Sequence, residues 1–277
     1  MTKKGTLYIV ATPLGNLGDL SPRAAEVLRS VELVAVEDTR RSRTLLAHVD
    51  ARPRVVSFHA HSTPARLAKL VETLERGESV ALLTDAGTPT ISDPGGQLVE
   101  RAREHGIETV AIPGPSAVAA ALSISGLPAD RFTFLGFLPR RGADRERLLN
   151  SVANSRWTVV LFEAPGRVAR LLADLADACG ADRRAVVARE LTKVYEEVKA
   201  GTLGELSGYY REAAPRGEIT VLVAGTPAVR GVVNEEMLRA RARELLAAGE
   251  SRRDVAAQLA KELNVSRKET YRVVTAL

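Results

Sequence analysis

Residues Val80 to Gly95 read VALLTDAGTPTISDPG and give the clearest indication of the fold. The first residues form a short apolar run, which is typical of a buried strand in a parallel sheet. The remainder places prolines and glycines among hydroxyl and carboxylate side chains, so the strand must end in an ordered loop. Open α/β sheets bind ligands at such strand ends, where unpaired backbone N–H groups meet the N-terminus of the next helix. The stretch therefore predicts either a binding site or an ordinary tight connection between a strand and a helix.

The same alternation of strand and helix extends over residues 1–125. The predicted strands are Leu7–Ala11, Leu33–Val36, Val55–Phe58, Val80–Thr84 and Val110–Ile112, and each is followed by a helix. Five consecutive strand–helix units predict an α/β domain with a parallel sheet and helices on both of its faces.

A second, smaller α/β domain is predicted over residues 126–226. Gly126-Leu127-Pro128 interrupts the alternation and marks the boundary. Strands are predicted at Phe132–Phe137, Thr158–Glu163, Ala185–Glu190, Glu197–Ala200 and Ile219–Ala224. Two of these segments are joined by tighter turns than the first domain uses, which favours a mixed sheet.

Residues 230–277 are predicted to form an all-α tail after the linker Gly225-Thr226-Pro227. Ser251 and Ser266 lie at capping positions before two helices, and a turn of about three residues separates these helices. This is the outline of a helix-turn-helix. Ten Lys and Arg residues against seven Asp and Glu make the tail basic, with Arg267, Lys268 and Arg272 as candidate contacts to nucleic acid. The alternative is a small helical bundle used for packing or dimerisation.

Composition limits the class of protein. A chain of 277 residues that is 45% hydrophobic can bury a sizeable core. It has no signal peptide and no apolar stretch near the ~18 residues that span a bilayer, so we expect a cytoplasmic protein without membrane contact. The net charge of +5 is compatible with an acidic partner such as nucleic acid but does not by itself indicate one.

Several site signatures are absent from the sequence. No G-x-G-x-x-G follows the first strand and no G-x-x-x-x-G-K-[ST] occurs, which disfavours a dinucleotide site and a P-loop. Without G-x-S-x-G, an α/β-hydrolase nucleophile is also disfavoured. His59 and His61 lack a third ligand nearby, and Cys179 is the single cysteine, so no metal is expected.

Loops with unusual composition follow all five strands of the first domain. They are Thr12–Asn16, Glu37–Arg40, Ser57–His59, Asp85–Gly95 and Pro113–Ala117. Because the carboxyl ends of parallel strands lie at one edge of the sheet, these loops must converge. Taken alone, Glu37–Arg40 would be a plain helix start with Asp38 or Thr39 as its cap. Two strand ends of the second domain, Glu163–Arg167 and Arg189–Lys193, could face the same cleft.

These strand ends resemble ribosomal RNA methyltransferases of the tetrapyrrole methylase superfamily. The similar stretches are Tyr8–Leu17, Glu37–Arg40, Ser57–His59, Leu83–Gly95, Ile112–Ala117, Phe162–Arg167 and Arg189–Lys193. The resemblance covers the whole chain in order, including the helical tail. It implies two α/β domains with S-adenosylmethionine in the cleft between them and a homodimer. It further implies 2′-O-methylation of a cytidine ribose in the decoding region of 16S rRNA, in free RNA or in the 30S subunit.

The resemblance also assigns cofactor contacts position by position. In the first domain these are Pro13, Asp85, Ala86, Gly87, Thr88, Ile91, Ser116 and Ala117. In the second domain they are Phe162, Glu163, Leu191, Glu218 and Ile219. Tetrapyrrole-modifying members typically have Gly-Asp-Pro where this chain has Gly87-Thr88-Pro89, so an acidic contact is replaced by a hydroxyl.

Methyl transfer from a sulfonium to a hydroxyl is an in-line displacement, which requires alignment, exclusion of water and a route for the proton. The candidate proton acceptors are Asp38, Glu163, Glu190 and Lys193, and our hypothesis is that Lys193 acts with Glu190. Arg40, Arg140 and Arg141 are the candidates for holding RNA phosphates.

Two alternatives remain at the level of sequence. One is a porphyrinoid methyltransferase on the same fold, against which the basic tail argues. The other is a non-catalytic RNA-binding protein that keeps the fold, against which the presence of every cleft loop argues.

Overall fold

The computed structural model describes residues 3–213, 215–226, 235–262 and 267–277. Residues up to Ala224 group into one compact unit, and residues from Gly225 onward form another. The first unit contains two five-stranded sheets. The predicted division of this unit at residues 125 and 126 stays a prediction, because the two sheets cluster together.

The first sheet consists of β1 (Leu7–Val10), β2 (Leu33–Val36), β3 (Arg54–Ser57), β4 (Val80–Leu82) and β5 (Thr109–Ile112). Their order across the sheet is β3-β2-β4-β1-β5, and every pairing is parallel. The predicted parallel sheet is therefore confirmed. Strand β4, which leads into the glycine- and proline-rich loop, lies at the centre of the sheet, as the nearly continuous burial of its residues requires.

Helices cover both faces of this sheet. They are α1 (Pro22–Ser30), α2 (Thr39–His48), α3 (Pro64–Glu75) and α4 (Gly96–Glu104), whereas α5 (Ala117–Ser125) follows β5 and packs against the second sheet. Alternate residues of β2 divide between two cores, with Val34 packing among residues of α1 and α2 and Ala35 among residues of α3 and α4. The caps Ser21 and Thr63 each accept a backbone N–H of the first turn and precede a proline.

The second sheet consists of β6 (Phe132–Phe137), β7 (Thr158–Glu163), β8 (Arg184–Arg189), β9 (Glu197–Thr202) and β10 (Ile219–Val223). Their order is β6-β7-β10-β8-β9; β6 and β7 are parallel and the other pairs are antiparallel. The predicted mixed sheet is therefore confirmed. Helices α6 (Ala143–Asn154), α7 (Val168–Cys179) and α8 (Leu203–Glu212) pack on one face. Helix α5 packs on the other face, against Val160, Val186 and Leu222, and the same cluster includes Leu14 and Ala86 from two loops of the first sheet.

The tail contains helices α9 (Glu235–Ala247), α10 (Arg252–Glu262) and α11 (Arg267–Thr275). They share a small apolar core formed by Ala242, Leu245, Val255, Ala256, Leu259 and Val274. The hydroxyl of Ser251 accepts the Asp254 N–H, as its predicted capping position requires. The Asp254 carboxylate accepts the Ser251 hydroxyl and not the Ser251 backbone N–H, so the pair does not form a capping box. The predicted linker residue Pro227 and the turn Asn264–Ser266 lie outside the described residues.

Among the described helices, none is both long and apolar enough to cross a membrane.

Candidate functional site

A cavity of about 350 Å³ lies between the two sheets, at the carboxyl end of the first. Its wall combines the loop after β4, the start of α5, the end of β7, the loop after β8 and the start of β10. The predicted cofactor residues that line it are Asp85, Ala86, Gly87, Thr88, Ile91, Ser116, Ala117, Phe162, Glu163, Leu191, Glu218 and Ile219. Pro13 is buried and does not line the cavity, because the next residue, Leu14, supplies the wall there.

The loop after β4 is fixed to the loop after β1. The N–H of Thr12 donates to the carbonyl of Gly87 (2.8 Å), and the N–H of Gly87 donates back to the carbonyl of Thr12 (3.0 Å). The hydroxyl of Thr88 donates to the Pro115 carbonyl (3.2 Å), which connects the same loop to the start of α5. Gly87 has a φ of +85°, in the left-handed region that favours glycine, and any β-carbon there would crowd Leu14. The cavity wall is therefore preformed by backbone contacts.

Three carboxylates gather beside the cavity, those of Glu37, Asp85 and Asp93. Burial raises the pKa of Glu37, and the nearby charges of Asp85 and Asp93 raise it further. Burial likewise raises the pKa of Asp93, and Asp85 and Glu218 add repulsion. Asp85 is tied in place because it accepts the Asp38 N–H (3.1 Å). The sequence contained Asp93 inside its most distinctive loop, but only the sheet order brings Glu37 next to it.

Asp38 serves as the cap of α2. Its carboxylate accepts the Arg40 N–H (2.8 Å) and pairs with the Arg40 guanidinium (3.1 Å). The side-chain hydrogen bond from Arg40 is the main reason that the pKa of Asp38 is lowered, followed by the backbone one. Asp38, predicted as a candidate proton acceptor, is not among the residues that line the cavity, and Arg40, a predicted phosphate contact, is exposed beside it. The helix-start interpretation describes the local structure of this motif.

Lys193 and Glu190 are in direct contact, as their predicted pairing requires. The Lys193 ammonium lies 2.8 Å from a carboxylate oxygen of Glu190 and 3.3 Å from one of Glu218. Burial acts to lower the pKa of Lys193, but the two carboxylates outweigh it, so the pKa is raised. Burial acts to raise the pKa of Glu190, but the hydrogen bonds from Lys193 and from the Glu218 N–H lower it. Lys193 is therefore a cation at neutral pH.

Two features of the backbone hold Lys193 in this position. Its methylene chain lies over Gly15, where any side chain would collide with it. Glu190 and Thr192 have φ values of +52° and +67°, which are unusual for residues with side chains. Such conformations persist where the surrounding structure imposes them, and they cluster at functional sites.

Aromatic rings and a buried acid form the far wall. Phe162 lies edge-on to Phe134, with ring centroids 4.9 Å apart, and it also contacts Phe137 at 5.6 Å. Glu163 is buried, accepts the Ala164 N–H (2.8 Å) and pairs with Arg167. Phe137 lines the cavity although we did not predict it. The available signal was its place at the end of a strand, just before Pro139-Arg140-Arg141.

The predicted RNA-contacting side chains are spread over different elements. Arg140 and Arg141 are exposed in the turn after β6. Lys268 and Arg272 are exposed on α11, whereas the side chain of Arg267 lies outside the described part of the chain. Neither His59 nor His61 belongs to a group of three or more metal-ligating side chains in the described residues.

Comparisons with known proteins identify the family. The family model described as Tetrapyrrole (Corrin/Porphyrin) Methylases matches residues 6–207. A protein of Synechocystis sp. called "Ribosomal RNA small subunit methyltransferase I" is 44% identical over 270 residues, covering 97% of each chain. A protein of Xylella fastidiosa with the same name is 49% identical over 227 residues, covering 81% of this chain and 83% of that one.

A solved structure supports the same fold at lower identity. Uroporphyrin-III C-methyl transferase from Thermus thermophilus, complexed with S-adenyl homocysteine, is 20% identical with a TM-score of 0.59, covering 79% of this chain and 97% of that chain. The chain therefore belongs to the tetrapyrrole methylase family, together with the proteins called ribosomal RNA small subunit methyltransferase I.

Proposed function

We propose that this protein transfers the methyl group of S-adenosylmethionine to small-subunit ribosomal RNA, at the 2′-hydroxyl of a cytidine in the decoding region of 16S rRNA. The observation that carries the proposal is the preformed cavity between the two sheets, lined by the family's cofactor positions, in a chain that is 40–49% identical to curated relatives of that name. The printed name of these relatives supports the ribosomal substrate; the cytidine and its position come from the sequence resemblance.

The residues of the cavity fit the methyl donor. Ala86 and Gly87 present little side chain, so a ligand can approach their backbone closely. The N-terminus of α5 at Ser116 and Ala117 suits the carboxylate of the methionine part. Phe162, Leu191 and Ile219 supply an apolar wall for a purine ring, while the neighbouring carboxylates favour a ligand with a sulfonium and an ammonium group.

The chemistry follows from these groups. The donor, when bound, supplies a methyl carbon that is already a strong electrophile. The chain aligns the acceptor hydroxyl, excludes water and provides a route for the proton. We propose that the Lys193 ammonium donates a hydrogen bond to the acceptor oxygen and that Glu190 takes the proton. Arg40, Arg140 and Arg141 would hold RNA phosphates, each as an exposed cation.

The test of this function is the transfer of labelled methyl from S-adenosylmethionine to 30S subunits and, separately, to free 16S rRNA. The modified nucleotide is identified by nuclease digestion and mass spectrometry. We expect label on the ribose of a decoding-region cytidine. Tight cofactor binding without label on either RNA would contradict the proposal and would favour a small-molecule acceptor on the same fold. Label on a base would contradict the 2′-hydroxyl as acceptor.

A further inference from the structure

Phe137, the last residue of β6, lines the cavity because the strand contains an extra residue that forms a β-bulge. Between Phe134 and Gly136 the pairing of β6 with β7 shifts, so that Leu135 has no partner in the register. In a regular strand, residues three positions apart face opposite sides of the sheet. The bulge instead places Phe134 and Phe137 on one side, where both rings contact Phe162. Gly136 permits this geometry because its φ is +62°.

The ring of Phe137 is only partly covered by the protein. Phe137 is 53% exposed although it lines the cavity, whereas Phe162 behind it is partly buried. Ile91, on the opposite loop, is another large apolar side chain that both lines the cavity and is exposed. Two exposed apolar side chains at a cavity mouth form a surface that a planar apolar ligand can cover.

A fixed turn carries two arginines directly after this ring. Arg145 is buried and donates from Nη1 to the Pro139 carbonyl (2.9 Å), while its other nitrogens bind Asp174. Arg145 therefore holds the turn in place through the Pro139 carbonyl, and the following residues Arg140 and Arg141 remain exposed. An exposed aromatic ring beside arginines is the combination with which proteins hold a base and its phosphates in unpaired RNA.

We propose that Phe137 stacks on the pyrimidine base of the acceptor nucleotide and thereby positions its ribose at the cavity. This inference rests on the proposed function, since it assigns a place to the substrate of that reaction. The base of a nucleotide must leave its stack before the ribose can reach a cavity, and an aromatic platform compensates for the lost stacking. The ring contacts Phe162 and is more exposed than Phe162, so RNA can reach it from solvent.

The test compares Phe137→Ala with a matched variant, Phe132→Ala. Phe132 is in the same strand and is 45% exposed, but it does not line the cavity. We measure kcat and KM with 30S subunits or 16S rRNA, the Kd of S-adenosylmethionine by calorimetry, and the mass in solution by light scattering. We expect Phe137→Ala to raise KM for RNA roughly 10- to 100-fold, as loss of one stacked base does. The Kd of the donor and the mass should stay unchanged, and Phe132→Ala should behave as wild type.

Conservative variants keep the proposal falsifiable if the alanine variant folds poorly. Phe137→Tyr and Phe137→Trp keep an aromatic face and should restore most of the RNA affinity, whereas Phe137→Leu keeps only the apolar bulk and should not. Equal KM values for Leu and Phe would overturn stacking. A weakened Kd for the donor would assign the ring to adenine, and a change of mass would assign it to a subunit interface. If wild-type protein modifies neither RNA, the proposed function fails before any variant is compared.

Discussion

The charge of Lys193 decides which role this side chain can take in the proposed reaction. Its ammonium binds the carboxylates of Glu190 and Glu218, and Glu218 belongs to the cavity wall. A protonated amine has no lone pair, so in the proposed reaction Lys193 would contribute a hydrogen bond and a positive charge that position the acceptor hydroxyl and the carboxylate beside it.

We predict that Lys193→Ala lowers turnover by a factor of about 10² to 10³, since the loss of one positioned hydrogen-bond donor has effects of this size. The Kd of S-adenosylmethionine should change little, because Lys193 does not line the cavity itself. Lys199→Ala is the matched control. Lys199 lies in the edge strand β9, with its Nζ 3.8 Å from the ring centroid of Tyr209, and it does not line the cavity. Nearly normal turnover in Lys193→Ala, measured with saturating RNA, would show that the assignment is wrong.

The carboxylates of Glu37 and Asp93 should cost the protein stability at neutral and high pH. Their pKa values are raised by burial first and by neighbouring acids second. Below the pKa of the unfolded chain each group is protonated in both states, and the native state is not penalised. As the pH rises through the pKa that Glu37 or Asp93 has in the folded protein, the buried carboxylate becomes charged and the free energy of unfolding falls.

We therefore predict that Asp93→Asn raises the free energy of unfolding at pH 8 and that the gain shrinks toward pH 4. Urea unfolding across this pH range measures the difference. The exposed Asp182→Asn serves as control and should show no such trend. A gain for Asp93→Asn that is constant with pH would contradict the electrostatic cause.

At the scale of elements, helix α11 is the part of the tail best suited to contact RNA. Lys268, Tyr271 and Arg272 follow one another at helical spacing and are all exposed, so they share a face with two cations and an aromatic ring. This arrangement supports the predicted role in nucleic-acid binding more than the alternative of a bundle used only for packing. The three helices already pack through their own apolar core, so the exposed face of α11 is not needed for that purpose.

We predict that the double variant Lys268→Ala, Arg272→Ala weakens RNA binding and reduces the slope of log affinity against log salt by up to about 2, roughly one for each phosphate contact. Fluorescence anisotropy with 16S rRNA fragments over a KCl series measures both quantities. Arg252→Ala, Arg253→Ala on α10 removes the same charge from exposed positions and should change the slope less. Equal effects of the two pairs would mean that only the net charge matters.

Element types were predictable from local chemistry, and their arrangement was not. The caps Ser21 and Thr63 and the strand periodicity are encoded within a few residues, so most predicted bounds agree with the structure within one or two positions. Strand β4 ends at Leu82, two residues before the predicted end at Thr84. The order β3-β2-β4-β1-β5, the bulge before Gly136 and the meeting of Glu37 with Asp93 depend on long-range pairing, which no local pattern specifies.

The candidate site divides in the same manner. The convergence of the loops after β1, β4 and β5 at the cavity, with Glu37 of the loop after β2 beside them, followed from parallel topology alone. The loop after β3, which was predicted to join them, does not line the cavity. The pairing of Lys193 with Glu190 was a hypothesis about the reaction, but the third member, Glu218, comes from the pairing of β8 with β10, in which Arg189 lies opposite Ile219. Phe137 escaped prediction because an irregular strand, and not the sequence period, decides where it points.

At the scale of the molecule, the chain has apolar surface left for a second copy. Val194 and Tyr195 are 93% and 73% exposed, and they precede β9, the edge strand of the second sheet. Exposed edges with apolar neighbours are usually covered in native proteins. We propose that this segment contributes to the homodimer that the family resemblance implies and that the enzyme works in the cytoplasm.

We predict that Val194→Asp, Tyr195→Asp lowers the mass measured by light scattering from that of a dimer to that of a monomer. Trp157→Asp, which places a charge at another exposed aromatic position, should leave the mass unchanged. A wild-type protein that is monomeric at all accessible concentrations would contradict the dimer itself, whereas a dimeric double variant would only relocate its interface.

Helix α5 gives the cavity a property that no single wall residue has. Its first turn borders the ligand space, and its side chains, including the fully buried Ala121, fill the seam between the two sheets. The buried cluster and the ligand space thus share one helix, so we expect a change in the packing of one to affect the other. We expect a larger side chain at Ala121 to displace this helix and weaken ligand binding, although Ala121 does not line the cavity. We therefore expect ligand affinity to depend on the packing of this helix as well as on the residues that line the cavity.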